Sequence, residues 1–508
     1  MSYFFALQSK ISNIFSLFQA MVKNATVDVN CGGVYQESLP KAYSEGRVEE
    51  VTINESFERM ARIQFRLGLF DSKKMDENHP EIDITLIDSP EHQQLALEAA
   101  LQSIVLLQNK NNILPLDMNE KKSLALIGPH IDAHGVFMGN YHGARCGCSS
   151  DSGVIGGYSC IESPLEAIKS KMKFPDQVKS VKGCNIANDD INDIEEATEL
   201  AKNSDAVILF IGLDQDQEGE GQDRYETTLP GLQPKLMKSV LEVAGDKTII
   251  VLIHGGTVSL GEERSKAGAI LSTGYQGEVG ASAIASVLFG EFNPTGKLAA
   301  TVYPPSFVND LPLTEMGLRV GVGRTYMYYS GEAEFSFGHG LSYSKWNLDW
   351  VDDTGGMMSD QSNSLRPLKL YESKATEFKV SVENLGPHVS GSSQSILLFW
   401  RPVKVIKKEE FRDFGVVDKD EKREIRQKLI DFQETSLLHV GQSETLEFHL
   451  NWKDFGLWDS TSNSSVVLPG SYQLVVQAAD VQLMRSLEIV PSNIQEKSAR
   501  LRHPRAIS

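Results

Sequence analysis

Six carboxylates crowd the fifteen residues GLDQDQEGEGQDRYE, 212 to 226, directly after the apolar run at 206–211. Negative charge at that density has three uses: it can be solvated, ligate a cation, or carry protons. A solvated loop accounts for the charge but not the composition. Gly212, Gly219 and Gly221 interleave the acids and no lysine balances them, and glycines so closely spaced shape a backbone. For calcium, Asp214, Asp216, Glu218 and Gly219 fall at the first, third, fifth and sixth positions of an EF-hand-like loop. Tyr225 stands where the bidentate glutamate belongs, however, and the loop follows a strand rather than a helix. For proton transfer Glu220 is the natural group. A glutamate among other carboxylates holds its proton more tightly and can pass it to a leaving oxygen near neutral pH. Asp223 and Arg224 follow closely, with Arg224 placed to balance the cluster and hold Asp223 ionised. Composition alone does not choose among the three uses.

The elements that must position this loop alternate along the chain. SLALIGP, AVILFIGL, TIIVLIHG and AGAILSTG read as buried strands. HQQLALEAALQSIVLLQN, DDINDIEEATELAKNS, PKLMKSVLEVAG and VGASAIASVLFG read as helices. Short apolar runs alternating with helices predict an α/β fold, a mainly parallel sheet sandwiched by helices, over 96–345. Ligand-binding groups in such sheets gather beyond the carboxyl ends of strands. IGPHIDAHG, IGLDQDQEGEG and IHGGT are loops of that kind. Upstream, SFERMARIQFRLGLFDS predicts a helix closed by Gly68, and the polar stretch 72–95 a linker. A second linker is expected over 346–369. EFKVSVEN, SILLFWRPV, ETLEFHLN, SYQLVVQAA and RSLEIV then alternate as strands of a β-sandwich over 370–490. Within it, VIKKEEFRDFGVVDKDEKREIRQKL reads as a solvated excursion, and 491–508 as a disordered tail.

A chain of 508 residues exceeds one core, so two or three domains are expected. Its net charge of −19 argues against nucleic acid or an anionic membrane as partner. No apolar run is long enough to span a membrane. In the opening segment Phe4, Leu7, Ile11, Ile14, Phe15, Phe18 and Met21 are spaced as on an amphipathic helix, unlike a signal peptide. Of the cysteines Cys31, Cys146, Cys148, Cys160 and Cys184, three cluster in ARCGCSSDSGVIGGYSC. Zinc is one reading, but without a CxxC pair or histidine spacing a disulfide pinning that loop is favoured, which implies an oxidising compartment. Sequons at Asn24, Asn54 and Asn463 agree.

Many stretches, in order, resemble glycoside hydrolase family 3, the β-xylosidase-like branch. They are RLGLFD (66–71), AALQSIVLLQNKNNILPL (99–116), ALIGPH (125–130), MGNYHG (138–143), GLDQDQEGEGQDR (212–224), GYQGEVGASAIASVLFGEFNPTGKL (274–298), LPLTEM (311–316), GRTYMYYSG (323–331) and FGHGLSYS (337–344). The resemblance implies a β/α barrel, an α/β sandwich and a fibronectin type III-like domain. It further implies retaining exo-hydrolysis of β-glycosides, without cofactor or metal. A barrel aspartate is the family's nucleophile and a sandwich glutamate its acid/base. By motif that glutamate is Glu220, with Glu218 the alternative because spacing varies in this loop. Tyr141 and His142 could touch sugar. His254 either faces the site or is a satisfied structural histidine. Tyr326, Tyr328 and Tyr329 could stack on a sugar, though packing explains them better. Extracellular location is the family expectation.

Against that pattern, 1–71 resembles only the last portion of a barrel, beginning at VDVNCGG, and the segment that should carry the nucleophile has no counterpart. Asp28, the only aspartate before residue 71, matches a later barrel segment, so Asp28 and Asn30 read as structural or cleft-lining. Two functions follow: a β-xylosidase-like glycosidase, impaired in this chain because its nucleophile is absent, or a non-catalytic form that binds glycan or partners. An exposed barrel remnant would also favour self-association.

Overall fold

The computed structural model describes residues 27–30, 33–71, 84–86, 89–120, 122–142, 160–352, 356–358, 367–372, 374–388, 391–405, 425–459 and 464–490. The opening amphipathic segment, Cys31, Cys146, Cys148, most of the charged excursion and the tail lie outside them. The chain divides into two compact units, Met1–Gln93 and Gln94–Ser508.

In the first unit, helix α1 (Val34–Ser44) and helix α2 (Glu50–Arg66) enclose a small cluster of Ala42 and Val48 with Tyr35, Leu39 and Ile53. Helix α2 buries none of its residues, and Phe57, Ile63 and Phe65 on it are exposed. Its Arg59 clamps Asp28, the Nε and Nη2 groups donating to the carboxylate at 2.8–3.0 Å. That pairing holds the Asp28 carboxyl below its ordinary range.

Helix α3 (Pro90–Ser103) leads into the second unit and ends at strand β1 (Val105–Asn109). The stretch expected as one long helix is therefore a helix and then a strand, because Val105, Leu106 and Leu107 are buried against the sheet. Strands β2 (Leu124–Ile127), β3 (Val178–Val181), β4 (Ala206–Gly212), β5 (Thr248–Ile253) and β6 (Ala269–Ser272) complete six strands in the order β1-β6-β5-β4-β2-β3. All pairs are parallel except β1 with β6, so the sheet is mixed.

Burial on both faces explains why these strands read as continuous apolar runs. Along β4, Ile208 and Phe210 pack on one face with Ala281, Ile284 and Leu288 of helix α8 (Gly280–Leu288). Val207, Leu209 and Ile211 pack on the other with helices α5 (Ile194–Lys202) and α7 (Gln233–Ala244). Each such side chain, fully buried, contributes about 2 kcal/mol.

The next strand, Lys345–Val351, falls in the segment expected as a linker. Trp346, Leu348 and Trp350 alternate into the core of a β-sandwich while their neighbours face outward. One sheet of that sandwich orders Ser443–Leu450, Thr376–Gly386, Lys345–Val351 and Met357–Met358. The other orders Lys428–Glu434, Ser395–Val405, Gly470–Ala478, Val481–Val490 and Leu368–Tyr371. Trp350, Phe378 and Phe448 form a ring ladder between the sheets. Part of the stretch expected as a solvated excursion is therefore strand, since Lys428–Glu434 pairs with Ser395–Val405.

Candidate active site

The acidic loop leaves the carboxyl end of β4 through Gly212, where two backbones nearly touch. A Cβ there would lie 1.9 Å from the Ile253 carbonyl oxygen of β5, and φ is +147°. Buried Gln233 grips the same residue from both sides. Its Oε1 accepts from the Gly212 N–H and its Nε2 donates to the Gly212 carbonyl, both at 2.8 Å. One residue on, the Leu213 N–H donates to Ile253 at 2.8 Å, and the Leu213 carbonyl meets Nε2 of buried His130 at 3.0 Å. The loop therefore starts from a fixed backbone.

Asp214 caps the one-turn helix α6 (Gln215–Glu218), its carboxylate accepting from the Asp216 N–H at 2.9 Å. Burial pushes the Asp214 carboxyl up. At the end of that turn, Glu218 points under the neighbouring loop rather than outward. Its Oε1 accepts from the Gly255 N–H at 2.5 Å and the Tyr275 hydroxyl at 2.6 Å; its Oε2 accepts from the Gly256 N–H at 2.9 Å and lies 3.8 Å from Arg224. A Cβ at either residue would crowd the same side chains, 2.9 Å from Tyr275 at Gly255 and 3.0–3.1 Å from Arg224 and Glu218 at Gly256. Both oxygens of Glu218 are thus committed, in a side chain only 13% exposed. A calcium ion at this residue would have to displace amide and hydroxyl donors from it.

Glu220, two residues on, is exposed. Its backbone N–H donates to Asn140 Oδ1 at 3.2 Å, and the Tyr141 hydroxyl donates to its Oε2. The Glu220 carboxylate in turn pushes the Tyr141 hydroxyl up. The loop after β2 therefore holds the outward glutamate, and the loops after β5 and β6 hold the inward one.

Arg224 corrects the sequence expectation. It pairs with Glu218 and donates to the Thr257 carbonyl at 3.0 Å, while Asp223 stands exposed on the loop. The guanidinium is drawn inward because the buried carboxylate, not the solvated one, needs a countercharge. His142 is exposed beside Tyr141. His254 is packed instead: its Nε2 lies 2.8 Å from Ser272 Oγ, and burial pushes it down. Tyr328 and Tyr329 are buried, and Tyr326 stacks on Phe337. Cys160 is disulfide-bonded and Cys184 is a buried free thiol.

Sequence reasoning did not single out His130, Asn140, Gln233, Gly255, Gly256 or Tyr275. Each stands in or near a recognisable motif, but its partner is far off in sequence. His130 also carries a pH dependence. Full burial pushes it down to about 4, so the unfolded chain takes up the proton first. The stability at stake is complete above about pH 6.5 and drains away as pH falls toward 4, about 3 kcal/mol in all. Amide exchange of β4 should therefore quicken between pH 7 and pH 5, after correction for intrinsic rates. His130→Gln should flatten that dependence, and an unchanged slope would contradict the assignment.

A mixed α/β sheet with carboxylate- and glycine-rich loops at its strand ends, followed by a β-sandwich, is the carboxyl-terminal architecture of a class of glycoside-cleaving proteins. Residues 104–343 match the glycosyl hydrolase family 3 C-terminal domain, and residues 416–479 a fibronectin type III-like domain. Its α/β domain thus matches the C-terminal domain of that family. A probable β-D-xylosidase of Arabidopsis thaliana is 38% identical over 333 residues, 65% of this chain and 41% of that protein. A β-xylosidase/α-L-arabinofuranosidase of Medicago sativa subsp. varia is 32% identical over 397 residues, 75% of this chain and 49% of that one. The chain spans about half the length of the curated relatives it matches. Among solved structures, a family 3 exo-β-xylosidase bound to a xylobiose aziridine probe superposes with a TM-score of 0.74 at 24% identity. That match covers 95% of this chain and 59% of the other and shows likeness of fold.

Proposed function

We propose that this chain supplies the proton-donating part of a retaining β-glycosidase site, with Glu220 as acid/base and β-xylosides as the substrate class. One observation carries the choice of residue: Glu220 presents its carboxylate outward beside Tyr141, whereas both oxygens of Glu218 are bound beneath the loop. Glu218 is then the anchor, Arg224 its countercharge, and Tyr141 with Asn140 the positioning contacts. The sugar class rests on the relatives named above. An extracellular setting fits the disulfide at Cys160.

Retaining hydrolysis needs a second carboxyl about 5–5.5 Å from the first. We assign that role to no residue of this chain, because Asp28 is engaged by Arg59 through three hydrogen-bond contacts. The same pairing favours a second reading, in which the chain binds glycan or a partner without turning substrate over. The purified chain, assayed on 4-nitrophenyl β-D-xyloside with binding of xylobiose followed by calorimetry, separates the two. Turnover is expected if the chain is itself a hydrolase. Binding without turnover would overturn that and leave the non-catalytic reading.

A further inference from the structure

A cavity of about 630 Å³ opens between the segment that follows the α/β sheet and the β-sandwich. Tyr326, Phe337, Arg401, Arg426, Gln427 and Gln477 are among the residues that line it. Its frame is fixed by bonds across the domain boundary. The Gln477 amide donates to the Gly338 carbonyl at 3.0 Å, the Arg426 N–H to Met327 at 2.8 Å, and the Leu429 N–H to the Tyr326 hydroxyl at 3.2 Å. The cavity is separate from the acidic loop, none of whose residues line it.

The two arginines are its distinctive feature. Arg401 uses Nε on Gln427 Oε1 at 3.0 Å, and Arg426 uses Nη1 on the Tyr329 carbonyl at 3.0 Å. Among the described residues neither makes an ion pair with a carboxylate, although the chain as a whole carries a net charge of −19. Burial, and after it the neighbouring Arg426 charge, pushes half-buried Arg401 down. Two neighbouring guanidinium groups that no carboxylate pairs with among the described residues are a local demand for an anion. Asp480 also lines the cavity, and its charge acts on Lys297 and His339.

The volume and lining decide which anion. A bare oxyanion would fill a small part of the space, whereas a cavity of this size suits a ligand of one or two sugar rings. Glutamine amides and aromatic edges are the groups that meet hydroxyls and the apolar face of a pyranose. We propose that this interdomain cavity binds a carboxylate-bearing sugar, a hexuronic acid residue, with Arg401 and Arg426 holding the carboxylate.

Calorimetric titration of the full chain with methyl β-D-glucuronide, methyl β-D-glucoside and sodium sulfate tests this. The glucuronide is expected to bind roughly ten- to a hundredfold more tightly than the glucoside, the worth of a charge-assisted contact. Arg401→Gln and Arg426→Gln should each erase most of that difference with unchanged melting temperature, Arg401→Lys only part of it, and Glu220→Gln none. Equal binding of the two glycosides, or full glucuronide affinity in Arg401→Gln, would overturn the site. Should Arg401→Gln fail to fold, Arg426→Gln at the exposed mouth carries the same test. Sulfate binding as tightly as the glucuronide would overturn the sugar part of the claim.

Discussion

In a site completed by a second carboxyl opposite it, Glu220→Gln is expected to lower hydrolysis of an alkyl β-xyloside by roughly 10²–10⁴-fold, the usual worth of a positioned general acid. Glutamine keeps the shape of the side chain and can still accept from the Tyr141 hydroxyl that meets Oε2. What it loses is the proton for the departing oxygen. The loss should therefore depend on the leaving group. A 2,4-dinitrophenyl xyloside, whose phenolate leaves without protonation, should be far less affected than the alkyl glycoside. Glu218→Gln separates this role from anchoring. It removes the charge that Arg224 faces at 3.8 Å and weakens acceptance from the Gly255 and Gly256 amides. Its damage should reach both substrates alike, through loop order. If the leaving-group dependence belonged to Glu218→Gln instead, the roles assigned here would be reversed.

The place of this site was legible in the sequence, but its wiring was not. Strands β2, β4, β5 and β6 announce themselves as uninterrupted apolar runs because helices cover both faces of the sheet. Strand β3, VKSV, buries only Val178 fully and lies at the sheet edge, so it carries no apolar run to read. Strand β1 was hidden by the helical spacing that leads into it. In KWNLDWV the alternation was present, yet polar flanks on both sides made a linker the natural reading. At the site, adjacency in sequence suggested that Arg224 serves Asp223. The fold instead gives it Glu218, because that carboxylate turns toward amides 37 and 38 residues away and a tyrosine 57 away. Such partners are set by loops converging at strand ends, which local spacing does not record.

Gly212→Ala should unfold or severely loosen the α/β domain, at a cost of at least about 4 kcal/mol. The added methyl would meet backbone atoms of Ile253 at 1.9–2.9 Å, and no rotamer change can clear backbone. The β4 and β5 ends would have to part, taking with them the bond from the Leu213 N–H to Ile253 and the double grip of Gln233. Gly221→Ala is the matched control. Its φ of +78° is also unfavourable for an L residue, but nothing lies within 4 Å of the new methyl. Only the conformational cost of about 1 kcal/mol should appear there. Tryptophan fluorescence would miss the difference, since all five tryptophans lie between residues 346 and 458, outside the α/β sheet. Amide exchange of β4 and β5 reports it directly. Protection in Gly212→Ala matching that of Gly221→Ala would show that the sheet can open at no cost, and that the acidic loop is not seated on a rigid strand end.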